Sequence, residues 1–218
     1  MFEERLTELK EKLLLQASQV EEMVSKSIKA LLERDESIIT EILERDEIRV
    51  NEREVEIEDL ALTILARYQP EASYLRTIMA VIKINNDLER IGDHAVNIAE
   101  HAMYLLPRPM VKPLIDLPRM AEIAGVMLKE SLDAFSQGDE NLAIRVCRKD
   151  EVVDGLYDQI VRELLTYMIG DPSTIERALK LILVARDLER IADLATNIAE
   201  ESVYTVTGDI IRHHRSDK

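Results

Sequence analysis

The sequence predicts an all-α fold: two tandem three-helix bundles related by an internal repeat. Three observations carry this. Apolar residues recur at spacings of three and four through almost all of the 218 residues, which is the pattern of helices with one buried face. Glycines and prolines number six each, and Pro107, Pro109, Pro113 and Pro118 cluster near the middle of the chain, where they mark a linker. The third is duplication. Residues 85–100 read NNDLERIGDHAVNIAE and residues 185–200 read ARDLERIADLATNIAE, with eleven of fourteen positions identical from Asp87 and Asp187 onward. A period near 100 residues is too long for a solenoid unit of ~20–50 residues and suits two copies of a small domain.

The elements follow in order. Leu6, Leu9, Leu13, Ala17, Val20, Met23, Val24, Ile28 and Leu31 form the first helical stripe. Asp35 can cap a second helix, whose stripe is Ile38, Ile42, Val50, Ile57, Leu60, Ile64 and Leu65. Tyr68-Gln69-Pro70 stops it, because proline disfavours helix in the residue before it and lacks a backbone donor. A third helix runs from about Ala72 to Leu105. After the prolines the pattern restarts near Pro118, a favourable first-turn residue, and continues to Ser136. Gln137-Gly138-Asp139 is a turn before a fifth helix that ends near Ile169. Gly170-Asp171-Pro172-Ser173 then separates it from a sixth, reaching about Thr205. The expected organisation is a first bundle over 1–106, a linker over 107–117, a second bundle over 118–207 and a polar tail over 208–218, which includes His213 and His214. Short connections make successive helices antiparallel neighbours.

Composition narrows the function. A net charge of −15 disfavours nonspecific attraction to nucleic acid or an anionic membrane, both polyanions; it suits cations or basic patches on protein partners. The start, MFEERLTELKEKLLLQ, has no signal-peptide core, and no apolar run approaches the ~18 residues of a membrane span. A single cysteine, Cys147, excludes an intrachain disulfide and fits a cytoplasmic protein. Arg145, Arg148 and Lys149 beside it would favour a thiolate, whereas a buried, inert thiol is the commoner state of such a residue.

The duplicated segment is most faithful at polar positions. Asp87, Glu89, Arg90, Asp93, Asn97 and Glu100 recur as Asp187, Glu189, Arg190, Asp193, Asn197 and Glu200. Packing tolerates many apolar swaps, so this fidelity points to a charge-dependent task. Helical spacing puts Asn86, Glu89, Asp93, Asn97 and Glu100 on one stripe, and Leu88, Ile91, Ala95, Ile98 and Ala102 on another side. Glu89 and Asp93, like Glu189 and Asp193, lie one turn apart, within reach of one cation. Reflecting the second hairpin of helices about Pro70 sets Glu89 opposite Asn51 and Asp93 opposite Glu47. Reflecting the later one about Asp171-Pro172 sets Glu189 opposite Asp154 and Asp193 opposite Asp150. Each bundle thus gathers four oxygen-bearing side chains. Two resolutions of their repulsion remain open: a hard metal ion such as magnesium, manganese, calcium or iron, or basic neighbours, for which Arg90, Arg190, Arg49 and Arg53 are placed. Isolated surface acids usually form only weak pairs, worth ~0–1 kcal/mol; duplication and the match across each hairpin favour a metal.

DLERIGDHAVNIAE and DLERIADLATNIAE resemble the paired signatures of the PhoU family of phosphate-transport regulatory proteins. The resemblance extends to Gln69-Pro70, to Glu47–Asn51 followed by Glu54 and Glu58, to Asp150–Asp154, and to the TGD at Gly208. It implies two three-helix bundles, a cytoplasmic and often dimeric protein, and a negative regulator of phosphate uptake and of the phosphate-starvation response. Its implied partners are the phosphate transporter's ATPase subunit and a membrane sensor histidine kinase, with no contact to the membrane except through them. The family's E(D)xxxD motif is associated with iron or zinc clusters; manganese and magnesium also suit the donors. Carried over, the ligands are Glu47, Asn51, Glu89 and Asp93 in one site and Asp150, Asp154, Glu189 and Asp193 in the other. Asn51 replaces an acid and weakens the first site. Counting from Asp35 and Asp139 instead pairs Asp46 with Asp150, so a one-residue slip leaves Asp46 or Glu47 as the ligand. Two alternatives stand beside this: a metal-independent helical adaptor, and a carboxylate-bridged di-metal enzyme. The enzyme is disfavoured because Glu-x-x-His is missing and His94 becomes Leu194 in the second copy.

Overall fold

A computed structural model describes residues 1–208. They form α1 (Phe2–Glu33), α2 (Glu36–Glu41), a π-helical turn (Ile42–Asp46), α3 (Glu47–Tyr68), α4 (Ala72–Leu105), α5 (Asp116–Gln137), α6 (Glu140–Gly170), a 3₁₀ turn (Pro172–Thr174) and α7 (Ile175–Thr207). Since α2, the π turn and α3 run on without a break, the chain makes six rods, and no strand occurs among the described residues. The expected tail, with His213 and His214, lies outside the described residues beyond Gly208.

The breaks between rods have local causes. α1 ends where Arg34 takes a left-handed conformation (φ 57°), and α5 ends the same way at Gly138 (φ 66°). An aspartate follows each and caps the next rod: Asp35 accepts from Ser37 N–H and Asp139 from Leu142 N–H. Arg34 keeps a conformation that glycine adopts more cheaply, and its guanidinium donates to the carbonyls of Leu105, Leu106 and Arg108 at the end of α4. α3 stops with Gln69 also left-handed (φ 44°) before Pro70. α5 begins at Asp116, two residues earlier than the proline signal suggests; a proline in the first turn loses no helical hydrogen bond.

α1, α3 and α4 pack as one bundle and α5, α6 and α7 as the other. The bundles join along α4 against α7 and α1 against α5, so buried apolar residues from both form one continuous core. Leu88, Ile91, Ala95 and Ile98 are fully buried, as are Leu188, Ile191, Ala195 and Ile198. Each such branched side chain contributes roughly 1.5–3 kcal/mol. Polar groups stitch the α4–α7 seam: Lys83 Nζ lies 3.0 Å from Glu201, and His94 Nδ1 lies 2.9 Å from Asp187. No helix among the described residues is long and apolar enough to cross a membrane.

Candidate metal centre

The second acidic cluster is built by α6 and α7. Glu189 and Asp193 stand one turn apart on α7, and the α6 carboxylates face them. Burial raises the Asp154 carboxyl above its ordinary value, and Asp193 is the charge that adds most to that rise. Glu189 is likewise raised, first by burial; Asp193 and Asp154 push it further while Arg190 opposes them. Asp154, Glu189 and Asp193 therefore share one field. Asp150 and Asp193 line a common surface pocket of about 310 Å³ with Arg90, His94, Arg190, Thr196 and Asn197. Arg190 sits in this field as a counter-ion, with Nη1 2.8 Å from Asp193 and Nε 4.0 Å from Glu189.

The first cluster differs. Glu89 is raised by burial, then by Asp93 and then by Glu54 of α3. Glu54 itself is raised by burial and by Glu58. Arg90 lies 3.9 Å from Asp87 rather than pairing with Glu89 or Asp93. Of the residues reflected across the hairpin, Asn51 is exposed and Glu47 half-buried. The residue that simple reflection missed is Glu54, one turn beyond Asn51 on the same face of α3. Asn85 donates to the Glu54 carbonyl at 2.9 Å, and a methyl group added at Gly92 would meet Val50 Cγ1 at 3.3 Å. One contact falls a residue to one side of the reflected register and the other falls two residues to the opposite side, so α3 keeps the reflected position to within a turn. Glu54 reaches Glu89 from the next turn of the same face. Its spacing of three from Asn51 was the available signal.

A π turn in the first copy accounts for the one-residue difference in length between the copies. A π turn closes i→i+5 hydrogen bonds and absorbs one extra residue within a helix. The rod holding α3 has one at Ile42–Asp46, whereas α6 is regular throughout. One residue more lies between Asp35 and Glu47 than between Asp139 and Asp150, so Glu47 comes into step with Asp150 and Asn51 with Asp154. Asp46 is occupied elsewhere: it is buried, and Lys26 of α1 holds it at 2.9 Å together with Glu22 and Glu41. Nor do Arg49 and Arg53 neutralise the first cluster. Arg49 approaches Asp46 at 4.0 Å, and Arg53 donates to Gln19 of α1.

The chemistry this arrangement offers is cation binding through oxygen. Uncompensated carboxylates raise one another's proton affinity, and a hard cation relieves the same repulsion while finding the donors it prefers. Among the described residues, no three Asp, Glu, His or Cys side chains stand close enough to hold one ion as they are. Cys147 takes no part: burial, then the charges of Glu200 and Asp150, push its thiol up to about 11 despite the basic residues beside it.

Comparison with known proteins agrees with the duplicated fold. The model of the PhoU domain matches residues 13–102 and again residues 117–202. The chain is 43% identical over 213 residues to the phosphate-specific transport system accessory protein PhoU homolog of Aquifex aeolicus, covering 98% of this chain and 96% of that one. It is 36% identical to homolog 2 of Thermotoga maritima, over 100% of this chain and 92% of the relative. Among solved structures, PhoU from Pseudomonas aeruginosa superposes with a TM-score of 0.93 at 37% identity, covering 96% of this chain and 100% of the other. The phosphate transport system regulatory protein PhoU from Streptococcus pneumoniae gives 0.87 at 28% identity, over 96% and 99%.

Proposed function

Because the chain belongs to the PhoU domain family, we propose that it is a non-catalytic regulator of phosphate uptake that works by binding partner proteins. In this reading it restrains the phosphate transporter and the phosphate-starvation response when phosphate is ample, through the transporter's ATPase subunit and a sensor histidine kinase. It does so in the cytoplasm, as a homodimer. The observation that carries the reading is the near full-length likeness to accessory proteins of phosphate transport. The two acidic clusters would hold divalent or trivalent metal ions such as iron, zinc, manganese or magnesium. Asp150, Asp154, Glu189 and Asp193 form the stronger site; Glu47, Asn51, Glu89 and Asp93, with Glu54, form the weaker. The raising of Glu189 by Asp193 and Asp154, and of Asp154 by Asp193, on top of burial, supports it, since a cation is the simplest group to offset that charge.

A second reading has one observation in its favour. The Arg190–Asp193 ion pair at 2.8 Å neutralises part of the second cluster without metal, as a metal-independent adaptor would require. Elemental analysis of untagged protein, as purified and after loading with iron, manganese or zinc, separates the two. Bound metal that Glu189→Ala with Asp193→Ala removes from the second site, with helicity unchanged, supports the metal reading; absence of uptake leaves the adaptor. Co-purification with the transporter ATPase tests the regulatory role, and unaltered phosphate uptake and starvation response in a strain lacking the protein would refute it.

A further inference from the structure

We propose that the groove between α1 and α5 is a docking site for a basic amphipathic helix of a partner protein. The proposal rests on the reading of the chain as a regulator that works by binding partners, and it names the surface and the kind of partner. The groove has a volume of about 430 Å³ and is walled by Val24, Ile28 and Leu32 of α1 and by Ala121, Gly125 and Val126 of α5. Its lining runs from Glu21 to Leu32 on one helix and from Pro118 to Lys129 on the other, about three turns or ~16 Å of helix. The gap has a local cause. A methyl group added at Gly125 would meet no atom within 4 Å, so no side chain of the described residues closes over α5 at that point. Counted back from the helix caps Asp35 and Asp139, Gly125 corresponds to Glu21. The second repeat thus leaves bare the position where the first carries a carboxylate.

The lining selects among the ways a partner segment can be held. No strand occurs among the described residues, so there is no open edge to extend, and no aromatic ring lines the groove to take a proline-rich segment. What remains is a helix whose apolar residues, spaced at i, i+3 or i+4, and i+7, seat between the two walls. Leu32 and Val126 are exposed on opposite walls, and covering such apolar surface is favourable. Charge sets the sign of the partner. Two carboxylates, Glu21 and Glu122, and one ammonium, Lys129, stand on the lining. Glu21 is half-buried; burial pushes its carboxyl above the ordinary value, Lys129 opposes the rise and Asp133 adds to it. Among the described residues, neither Glu21 nor Glu122 has a hydrogen bond or an ion pair through its side chain. With Asp133 close by, the groove keeps a net negative charge, in a chain whose own net charge is −15. Lysine or arginine on the rim of a docked helix supplies the missing counter-ions.

The test measures binding of two synthetic peptides to the full chain by fluorescence anisotropy. Both are about four helical turns long with leucine at i, i+3, i+4 and i+7; one carries lysine at all remaining positions and its twin carries glutamate. The lysine peptide is expected to bind and the glutamate peptide not to. Gly125→Leu fills the groove and should weaken lysine-peptide binding at least about tenfold. A thermal melt should show its midpoint kept or raised, since leucine favours helix over glycine. Leu32→Ser, on the other wall, should weaken binding as well, and Glu21→Gln should cost a few-fold and flatten the dependence on salt. Lysine-peptide binding unchanged by both Gly125→Leu and Leu32→Ser would overturn the proposal, because the peptide would then sit elsewhere on an acidic surface. Equal binding of the two peptides would overturn the basic partner. A homodimer that Gly125→Leu converts to monomer on gel filtration would assign the groove to a second copy instead. In cells, Gly125→Leu should free phosphate uptake from restraint as deletion of the protein does. Deletion that frees uptake while Gly125→Leu is silent would sink the groove and keep the regulator. Deletion without effect would sink the regulator, and the peptide results would still decide the groove.

Discussion

Asp154 and Glu189 carry carboxyls that burial first, and then the charge of Asp193 (joined by Asp154 in the case of Glu189), hold above the ordinary range. Without a cation, the folded protein keeps protons on them over a window in which the unfolded chain has already released them. Their contribution to stability is therefore full at acid pH, below the unfolded carboxyl value, and is lost as pH rises through the folded value. Asp154→Asn combined with Glu189→Gln should accordingly match the native metal-free protein in acid and exceed it at neutral pH. The gain is a few tenths of a kcal/mol per relieved pair, the usual size for like charges on a helix surface. Urea unfolding of both proteins with chelator present, at pH 4 and at pH 7, measures it; a gain that is equal at the two pH values would contradict the assignment. This pairing was legible in the sequence because α6 is regular and reflection about Asp171-Pro172 holds. Glu54 was not named as a neighbour of Glu89, because reflection pairs single positions and Glu54 lies one turn beyond Asn51 on the face of α3 where Val50 seats against Gly92. The first copy has glycine there and the second has Ala192, a difference that says nothing of register until the neighbouring helix is in view.

At the level of elements, the six rods follow from apolar period, aspartate caps and proline stops, since each of these acts within a few residues. The π turn does not follow from them. Its sequence, Ile42–Asp46, satisfies a helical pattern as well as any other stretch, and only the tie to α1 singles it out. Lys26 reaches Glu22, Glu41 and Asp46, each at 2.9 Å. Burial works against its charge, but hydrogen bonds to Glu41, Glu22 and Asp46 outweigh it and hold the ammonium above the ordinary lysine range. Glu41 and Asp46 flank the turn, so Lys26 clamps both ends of the extra residue, and through it the step that aligns Glu47 with Asp150. Lys26→Met should leave Asp46 buried with no close cation but Arg49 at 4.0 Å, at a cost of about 3 kcal/mol, as for other broken buried pairs. Adding Asp46→Leu should recover most of that loss. Chemical denaturation of the two variants checks both steps; a single substitution costing under ~1 kcal/mol, as exposed pairs do, would mean that the turn is held by packing alone.

For the whole molecule, duplication predicts two similar halves, and the helical pattern alone is silent on how they meet. An apolar face on α4 or α7 reads the same whether it serves its own bundle or its neighbour. The structure commits those faces to each other: α4 lies along α7, and one buried core spans both repeats. The seam is also where the copies diverge in polar character. Glu201, which Lys83 engages, corresponds to His101 in the first repeat, and Leu194 corresponds to His94. His101 lies 3.7 Å from Asp187 and 3.5 Å from Lys180, so the first repeat supplies histidines where the second supplies a carboxylate and a leucine. Such pairs tie unlike halves and leave a half packed on a copy of itself with mismatched groups. The linker is held to the bundles by Lys112, which pairs with Glu163, and by Arg177, which donates to the Pro109 carbonyl, but Pro113 and Ile115 are exposed. Replacing residues 113–115 with a protease recognition sequence and cleaving it should therefore leave the halves bound to each other, co-eluting on gel filtration at one half-mass copy each and unfolding in a single transition. Lys83→Glu, which opposes Glu201 across the seam, should lower the unfolding midpoint of the cleaved pair and make it depend on protein concentration more steeply. Halves that separate on cleavage, or that melt independently, would show that each bundle is stabilised by its own core and that the seam is a weak contact.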